Sequence, residues 1–306
     1  MMQKRCNVKW LVEERILGSL YSADPFPYIS SNQNCFYVSN VIEMALENLD
    51  RIISPIVVGS CDYGQYILEK YGIKVTCIEK SPEAIVSWFY KISLCKEESS
   101  KREVEFYLGL KPFQTNESLR KWYVDYLIVP SIGGVSFIGS DLDRLYSRDE
   151  LYSVMERFKE FLSSYDVKES RADLVFNILF PAVRHIEEDV YLIMLNPWME
   201  TNPRWISLLL QLDLYEIPDI ICEDFLKWNG KSNLIISNNV IEKCNVKDFE
   251  KKVNEVVVRG GIVETTNLPL NHKRFKQVGE RGKIIGKMME FDLILGVNCF
   301  IHLKEN

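Results

Sequence analysis

From residue 55 onward short apolar runs alternate with amphipathic stretches, and nothing else in the 306 residues restricts the fold as strongly. Strands that alternate with crossover helices bury both faces of a sheet only when the sheet is largely parallel and covered on either side. The runs 55–60 (PIVVGS), 73–79 (IKVTCIE), 103–109 (EVEFYLG), 124–131 (VDYLIVPS) and 172–180 (ADLVFNILF) are the expected strands. Helices are expected at 63–72, 82–94 and 148–164, the last with Leu151, Met155, Phe158 and Leu162 on one stripe. Right-handed crossovers then produce an open, doubly wound α/β sheet.

The flanks differ from this pattern. Residues 1–50 mix helical spacing with a loop rich in Pro, Ser and Asn, after which Val41, Ile42, Ala45, Leu46, Leu49 and Ile52 fall on one helical face. Beyond the fifth expected strand, LYEIPDIIC (214–222) and SNLIISN (232–238) are joined by a short segment carrying Asn229-Gly230, which predicts an antiparallel closing hairpin. A charged helix (246–256), a Gly260-Gly261 turn and a final apolar run (289–303) follow. Three parts are therefore expected: an N-terminal helical cap (1–50), an α/β domain (51–240) and a small C-terminal α+β add-on (241–306).

Composition narrows the function classes. With 47% hydrophobic and 26% charged residues the chain can bury a sizeable core. The eight cysteines are scattered with no CxxC pair and only three histidines accompany them, which reads as reduced, buried thiols rather than a zinc site. No apolar run reaches membrane-spanning length and the first residues are charged, so a cytoplasmic location without membrane contact is the expectation. A net charge of −6 argues against a surface shaped wholly for nucleic acid. It leaves room for a local patch: His272, Lys273, Arg274, Phe275, Lys276, Arg281, Lys283 and Lys287 make 272–287 a candidate contact to a phosphate backbone, with a solvated loop as the plain alternative.

In an open parallel sheet ligands bind at the carboxyl ends of the strands, where the strand order switches direction. The loop after the first expected strand is Gly59-Ser60-Cys61-Asp62-Tyr63-Gly64. Its glycines have the spacing of a phosphate-binding loop, but Gln65 and Tyr66 replace the Lys and Ser/Thr that would hold phosphate and magnesium. Cys61 replaces the second glycine of the dinucleotide fingerprint. Both a nucleoside triphosphatase and a nicotinamide-dependent oxidoreductase lose support. At the end of the second strand stands Glu79, where a carboxylate can accept both hydroxyls of a ribose diol or simply cap the helix beginning at Pro82.

The segment 59–85, GSCDYGQYILEKYGIKVTCIEKSPEAI, resembles the opening of class I S-adenosylmethionine-dependent methyltransferases. In that family a glycine-bearing loop follows the first strand, an acid ends the second, and an antiparallel strand closes the sheet after the sixth parallel one. The resemblance implies a Rossmann-like fold and an S-adenosylmethionine site made by Gly59, Ser60, Cys61 and Gly64 on the loop, Glu79 and Lys80 at the second strand end, and Pro130 and Ser131 on the pocket floor. Gly59 and Gly64 would let the backbone approach the methionine part, and Glu79 would hold the ribose. The chain departs from the family at Cys61, at Val57 and Val58 where an acid is common, and at 108–113 (LGLKPF), where the acid that follows the third strand is expected. Asn196-Pro197-Trp198 looks like the motif with which amino-methyltransferases hold a target amine, although it follows the fifth expected strand instead of the fourth. Two functions follow as expectations: a methyltransferase whose acceptor the sequence leaves open, or a catalytically degenerate binding protein on the same scaffold that contacts nucleic acid.

Overall fold

The computed structural model describes residues 6–18, 35–109, 145–185, 189–193, 204–212, 214–237, 244–266, 268–288 and 293–305. The strands are β1 (Ile56–Val58), β2 (Thr76–Glu79), β3 (Leu145–Ser147), β4 (Ala182–His185), β5 (Val190–Ile193), β6 (Asp219–Cys222), β7 (Ser232–Ser237), β8 (Val257–Thr266), β9 (Phe275–Met288) and β10 (Leu293–Lys304). The helices are α1 (Val8–Trp10), which continues as a π-helical segment Leu11–Ile16, then α2 (Cys35–Asn48), α3 (Cys61–Tyr71), α4 (Pro82–Glu97), α5 (Lys101–Tyr107), α6 (Arg148–Ser163), α7 (Glu169–Leu179), α8 (Arg204–Leu209) and α9 (Val246–Val256). Among the described residues no helix is long and apolar enough to cross a membrane.

Among the described residues seven strands form one sheet in the order β6-β2-β1-β7-β8-β10-β9. The contacts β6 to β2, β2 to β1, β1 to β7 and β7 to β8 are parallel. β10 is antiparallel to both β8 and β9, so β9 runs in the direction of the first five and β10 alone opposes them. The fold is a mostly parallel, Rossmann-like α/β sheet with antiparallel closing pairs, flanked by helices. From β1 the chain builds outward to β2 and β6 on one side, and from β7 to β8, β10 and β9 on the other. The switch in direction therefore lies between β1 and β7, where Val58 pairs with Ser237.

Each face of the sheet has its own core. Val57, Cys77, Leu234, Ile236, Ile262 and Ile301 pack with the helices α2, α3 and α4, while Ile56, Val58, Ile78, Ile235 and Val263 pack with Phe249, Val253 and Val256 of α9. The period-2 alternation of a sheet covered on both sides is plain in these numbers.

Four of the expected elements are corrected. The run 103–109 is not a strand: α5 starts there because Ser100 and Glu103 form a capping box, each side chain bonded to the other's backbone N–H. The run 172–180 is helix α7, with Ala172, Val175, Phe176 and Leu179 buried at helical spacing. The hairpin expected at 214–238 does not form, because β6 and β7 both run parallel to their neighbours and are separated in the sheet by β2 and β1. Gly230 is there for packing, since a Cβ on it would lie 1.9 Å from the Trp228 ring. The antiparallel strand that closes the sheet is instead β10. Gly260 and Gly261 lie within β8, where Gly260 has φ 73° and the register against β7 shifts between Ser232 and Leu234. The run 124–131 lies outside the described residues.

The segment 241–306 adds α9 and three strands to the same sheet. Between α4 and β6, the described residues of 98–218 form a different structure: α5 to α8 together with a small antiparallel sheet in the order β3-β5-β4.

Candidate functional site

The carboxyl end of β1 turns through Gly59, whose φ of 79° lies in the left-handed region where a side chain is strained. The Gly59 N–H donates to Ile78 O at 3.0 Å, extending the pairing of β1 with β2 by one residue. Ser60 is then the N-cap of α3, with extended backbone and its Oγ accepting the Tyr63 N–H at 3.4 Å. The loop is thus one glycine and one cap, after which the open N–H groups and positive dipole end of an eleven-residue helix face the carboxyl edge.

Glu79 ends β2 immediately beside this turn. Its Oε1 accepts the Ser81 N–H at 2.9 Å, and the side chain is partly exposed. The Ser81 Oγ in turn caps α4 by accepting from Ala84 N at 3.1 Å and donates to Glu83 Oε2 at 2.9 Å. Lys80 is exposed on the same turn. The structure therefore brings Gly59, Ser60, Glu79 and Lys80 to one edge of the sheet, on neighbouring strands next to the switch point.

Cys61 follows at the same edge with its side chain packed into the core, and Gly64 is withdrawn from it. Cys61 is buried at the first turn of α3, and its thiol is pushed well up from its ordinary range by a hydrogen bond with Cys77 and by burial. A Cβ on Gly64 would fall 2.1 Å from Cys77 Sγ, 3.2 Å from Val75 and 3.3 Å from Pro218. Gly64 is therefore the point at which α3 presses onto β2, a packing duty set by residues outside the loop. Pro130 and Ser131 lie outside the described residues, as does Asn196-Pro197-Trp198. In the sheet the fourth parallel strand is β7, so that motif precedes it in the chain instead of following it.

One pair of acids was missed in the sequence. The third strand in the sheet is β6, and Glu223 and Asp224 follow it directly, where the acid missing from 108–113 was expected. The Glu223 N–H donates to Glu79 O at 3.1 Å, so the two strand ends are side by side. Asp224 Oδ1 accepts the Leu226 N–H at 2.9 Å and caps the short turn that follows. The signal was present in IICED (220–224), but residues 98–218 separate it from α4.

The N-terminal segment reaches the same edge. Arg15 Nη1 donates to Cys222 O at 3.3 Å, and its guanidinium lies 5.5 Å from the centre of the Trp10 ring. Burial pushes the Cys222 thiol up to about 12 against the opposing field of Arg15. Cys61, Cys77, Cys95 and Cys222 are all free and buried.

The basic stretch begins elsewhere. Phe275 starts β9 and pairs with Lys304 at the end of β10, while Leu303 pairs with Ile262, which in turn pairs with Leu234 near the start of β7. The exposed Lys273, Arg274 and Lys276 are thus at the amino edge of the parallel strands, opposite Gly59 and Glu79.

No protein-family model matches the sequence, and no curated protein matches it. Among solved structures the chain is similar to the rRNA methyltransferase aviRa from Streptomyces viridochromogenes, at 9% sequence identity and a TM-score of 0.36, with 98% of this chain and 96% of that chain covered. The strand order of the sheet defines the fold independently of that likeness.

Proposed function

We propose that the chain binds S-adenosylmethionine at the carboxyl edge of β1, β2 and β6 and serves a methyl transfer. The observation that carries this reading is the meeting of Gly59-Ser60 with Glu79 on adjacent strands beside the switch point, with Glu223 and Asp224 next along the same edge. A carboxylate at Glu79 suits a ribose diol, because it can accept a hydrogen bond from each hydroxyl. The acids after β6 suit the exocyclic amine of adenine, which has only hydrogens to offer them. The backbone of Gly59 and the N-terminus of α3 suit the carboxylate of the methionine part. A further support is β10, an antiparallel strand made after the sixth parallel one, which is the mark of the family that the sequence resembles.

The cofactor supplies an electrophilic methyl group on a sulfonium, so the protein's task is to hold that carbon in line with a nucleophile. A base is needed only if the acceptor carries a proton. Titration calorimetry with S-adenosylhomocysteine tests the reading: saturable binding is expected, with at least a tenfold loss in Glu79→Ala, on the order of one charged hydrogen bond. Absence of binding by the unaltered protein would overturn it.

A second reading has its own observation. With Cys61 and Gly64 committed to the core, Gly59 alone supplies glycine freedom at the turn, and the exposed cations of 273–276 stand on the opposite edge. On that reading the fold is a scaffold that contacts nucleic acid away from the crevice. Charge reversal at Lys273 and Arg274 then flattens the salt dependence of RNA binding in a gel-shift series, while an unchanged slope removes the patch from consideration.

A further inference from the structure

Behind the crevice two opposite charges are shut into the core. Asp62 and Lys91 have side-chain exposures of 3% and 0%, and Lys91 Nζ donates to Asp62 Oδ1 at 2.6 Å. Asp62 is the second residue of α3, two places after the Ser60 cap. Lys91 lies in the third turn of α4, the helix that starts at Pro82 directly after Glu79 and its Ser81 partner. One contact therefore ties together the two helices whose first turns carry the two halves of the candidate site.

Stability alone does not account for such a pair. Removing two charges from water costs so much that well-packed apolar side chains at the same positions hold a fold as well or better. The immediate neighbours are what the core prefers: Cys61, Tyr63, Tyr90 and Ile92 are all buried and packed into the apolar cluster on that face. What a short charge-assisted hydrogen bond adds over an apolar contact is direction, since it fixes an oxygen and a nitrogen to one another. Here the fixed oxygen belongs to the second residue of α3, two places after the Ser60 cap that begins the helix.

We infer that Lys91 and Asp62 are positioning residues that hold the Gly59-Ser60 turn at a set distance from Glu79, so that one nucleoside fits between them. The inference rests on the proposed cofactor site. It assigns the pair no contact with the cofactor and no part in the chemistry.

Calorimetric titration with S-adenosylhomocysteine, run beside thermal unfolding, tests it on the full chain. In the double variant Asp62→Leu/Lys91→Met the midpoint of unfolding is expected to hold or rise, while affinity falls about tenfold as the turn loses its preset spacing. Amide exchange at Gly59–Tyr63 is expected to quicken in the same variant while Cys77 and Ile78 in β2 stay protected. Unchanged affinity and unchanged exchange in a folded double variant would overturn the inference and leave the cofactor reading intact. Failure of the unaltered protein to bind would instead remove the cofactor reading, and this inference with it. Should the double variant not fold, Asp62→Ala/Lys91→Leu, which removes the contact with smaller side chains, is judged by the same affinity and exchange criteria.

Discussion

The sheet and the insertion at 98–218 are held together by different chemistry. Around the site the core is made of short branched aliphatic side chains from β1, β2 and β7, with Val57, Ile78, Leu234, Ile235 and Ile236 at 2% exposure or less. The insertion instead packs rings: Phe158 sits 5.0 Å from Tyr90, 5.4 Å from Phe180, 5.8 Å from Phe176 and 6.0 Å from Phe161, with Tyr90 and Phe180 near edge-on. Branched chains suit a pleated surface, while large rings fill the wider and less regular spaces between crossing helices. The site lies on the part of the molecule with the stricter geometry, and the aromatic part is spliced between α4 and β6 without interrupting the strand order. Tyr90 belongs to both, since it extends from α4 into the aromatic cluster, where burial pushes its hydroxyl pKa well up.

The contrast can be broken at several points. Phe158→Ala removes the ring at the centre of the insertion and is expected to cost about 3–5 kcal/mol in denaturant unfolding. A loss under about 1 kcal/mol would mean that the aromatic cluster is peripheral. On the sheet side His302 is fully buried, its Nε2 accepting the Leu270 N–H at 3.1 Å, and burial lowers its pKa to about 4. The unfolded chain, with a value near 6.5, takes up the proton first. Stability is therefore complete above about pH 6.5, falls as pH drops toward 4 by about 3 kcal/mol in all, and levels off below that. His302→Gln should flatten this slope when unfolding free energy is measured at each pH.

Gly64→Ala probes the tight approach of α3 to β2. Overlap with Cys77 Sγ is expected to cost about 1–3 kcal/mol, and Cys77→Ala in the same chain should recover most of it. A Gly64→Ala loss that Cys77→Ala leaves untouched would place the strain elsewhere. The smallest effect is expected at the seam: Arg157 bonds Glu97 at 2.7 Å and Glu98 at 2.8 Å, yet it is partly exposed, and Arg157→Ala should cost about 1 kcal/mol or less, diminishing with added salt.

The elements that position the site were legible because each carries a local signal. β1 and β2 are apolar runs bounded by turns, Glu79 ends its strand, and α4 begins at Pro82 as expected, whereas α3 begins at Cys61 behind its Ser60 cap, two residues before the expected start at 63. Where the signal was only an apolar run, it failed. At seven to nine residues such a run suits a strand or a buried helix equally, and the Ser100 capping box decided 103–109 where alternation did not. Gly64 could not be placed from its neighbours in sequence, since its constraint comes from Cys77 and Pro218. Glu223 was missed because adjacency in the sheet differs from adjacency in the chain once an insertion intervenes.

The position of β10 has a consequence for how the chain is assembled. β9 is made first, but among the described residues its one neighbour in the finished sheet is β10, which must enter between it and β8. Until residues 293–304 emerge, two open backbone edges wait side by side, and each is a template for pairing with another molecule. A nascent chain stalled just short of Leu293 would therefore be far more prone to self-association than one a dozen residues longer.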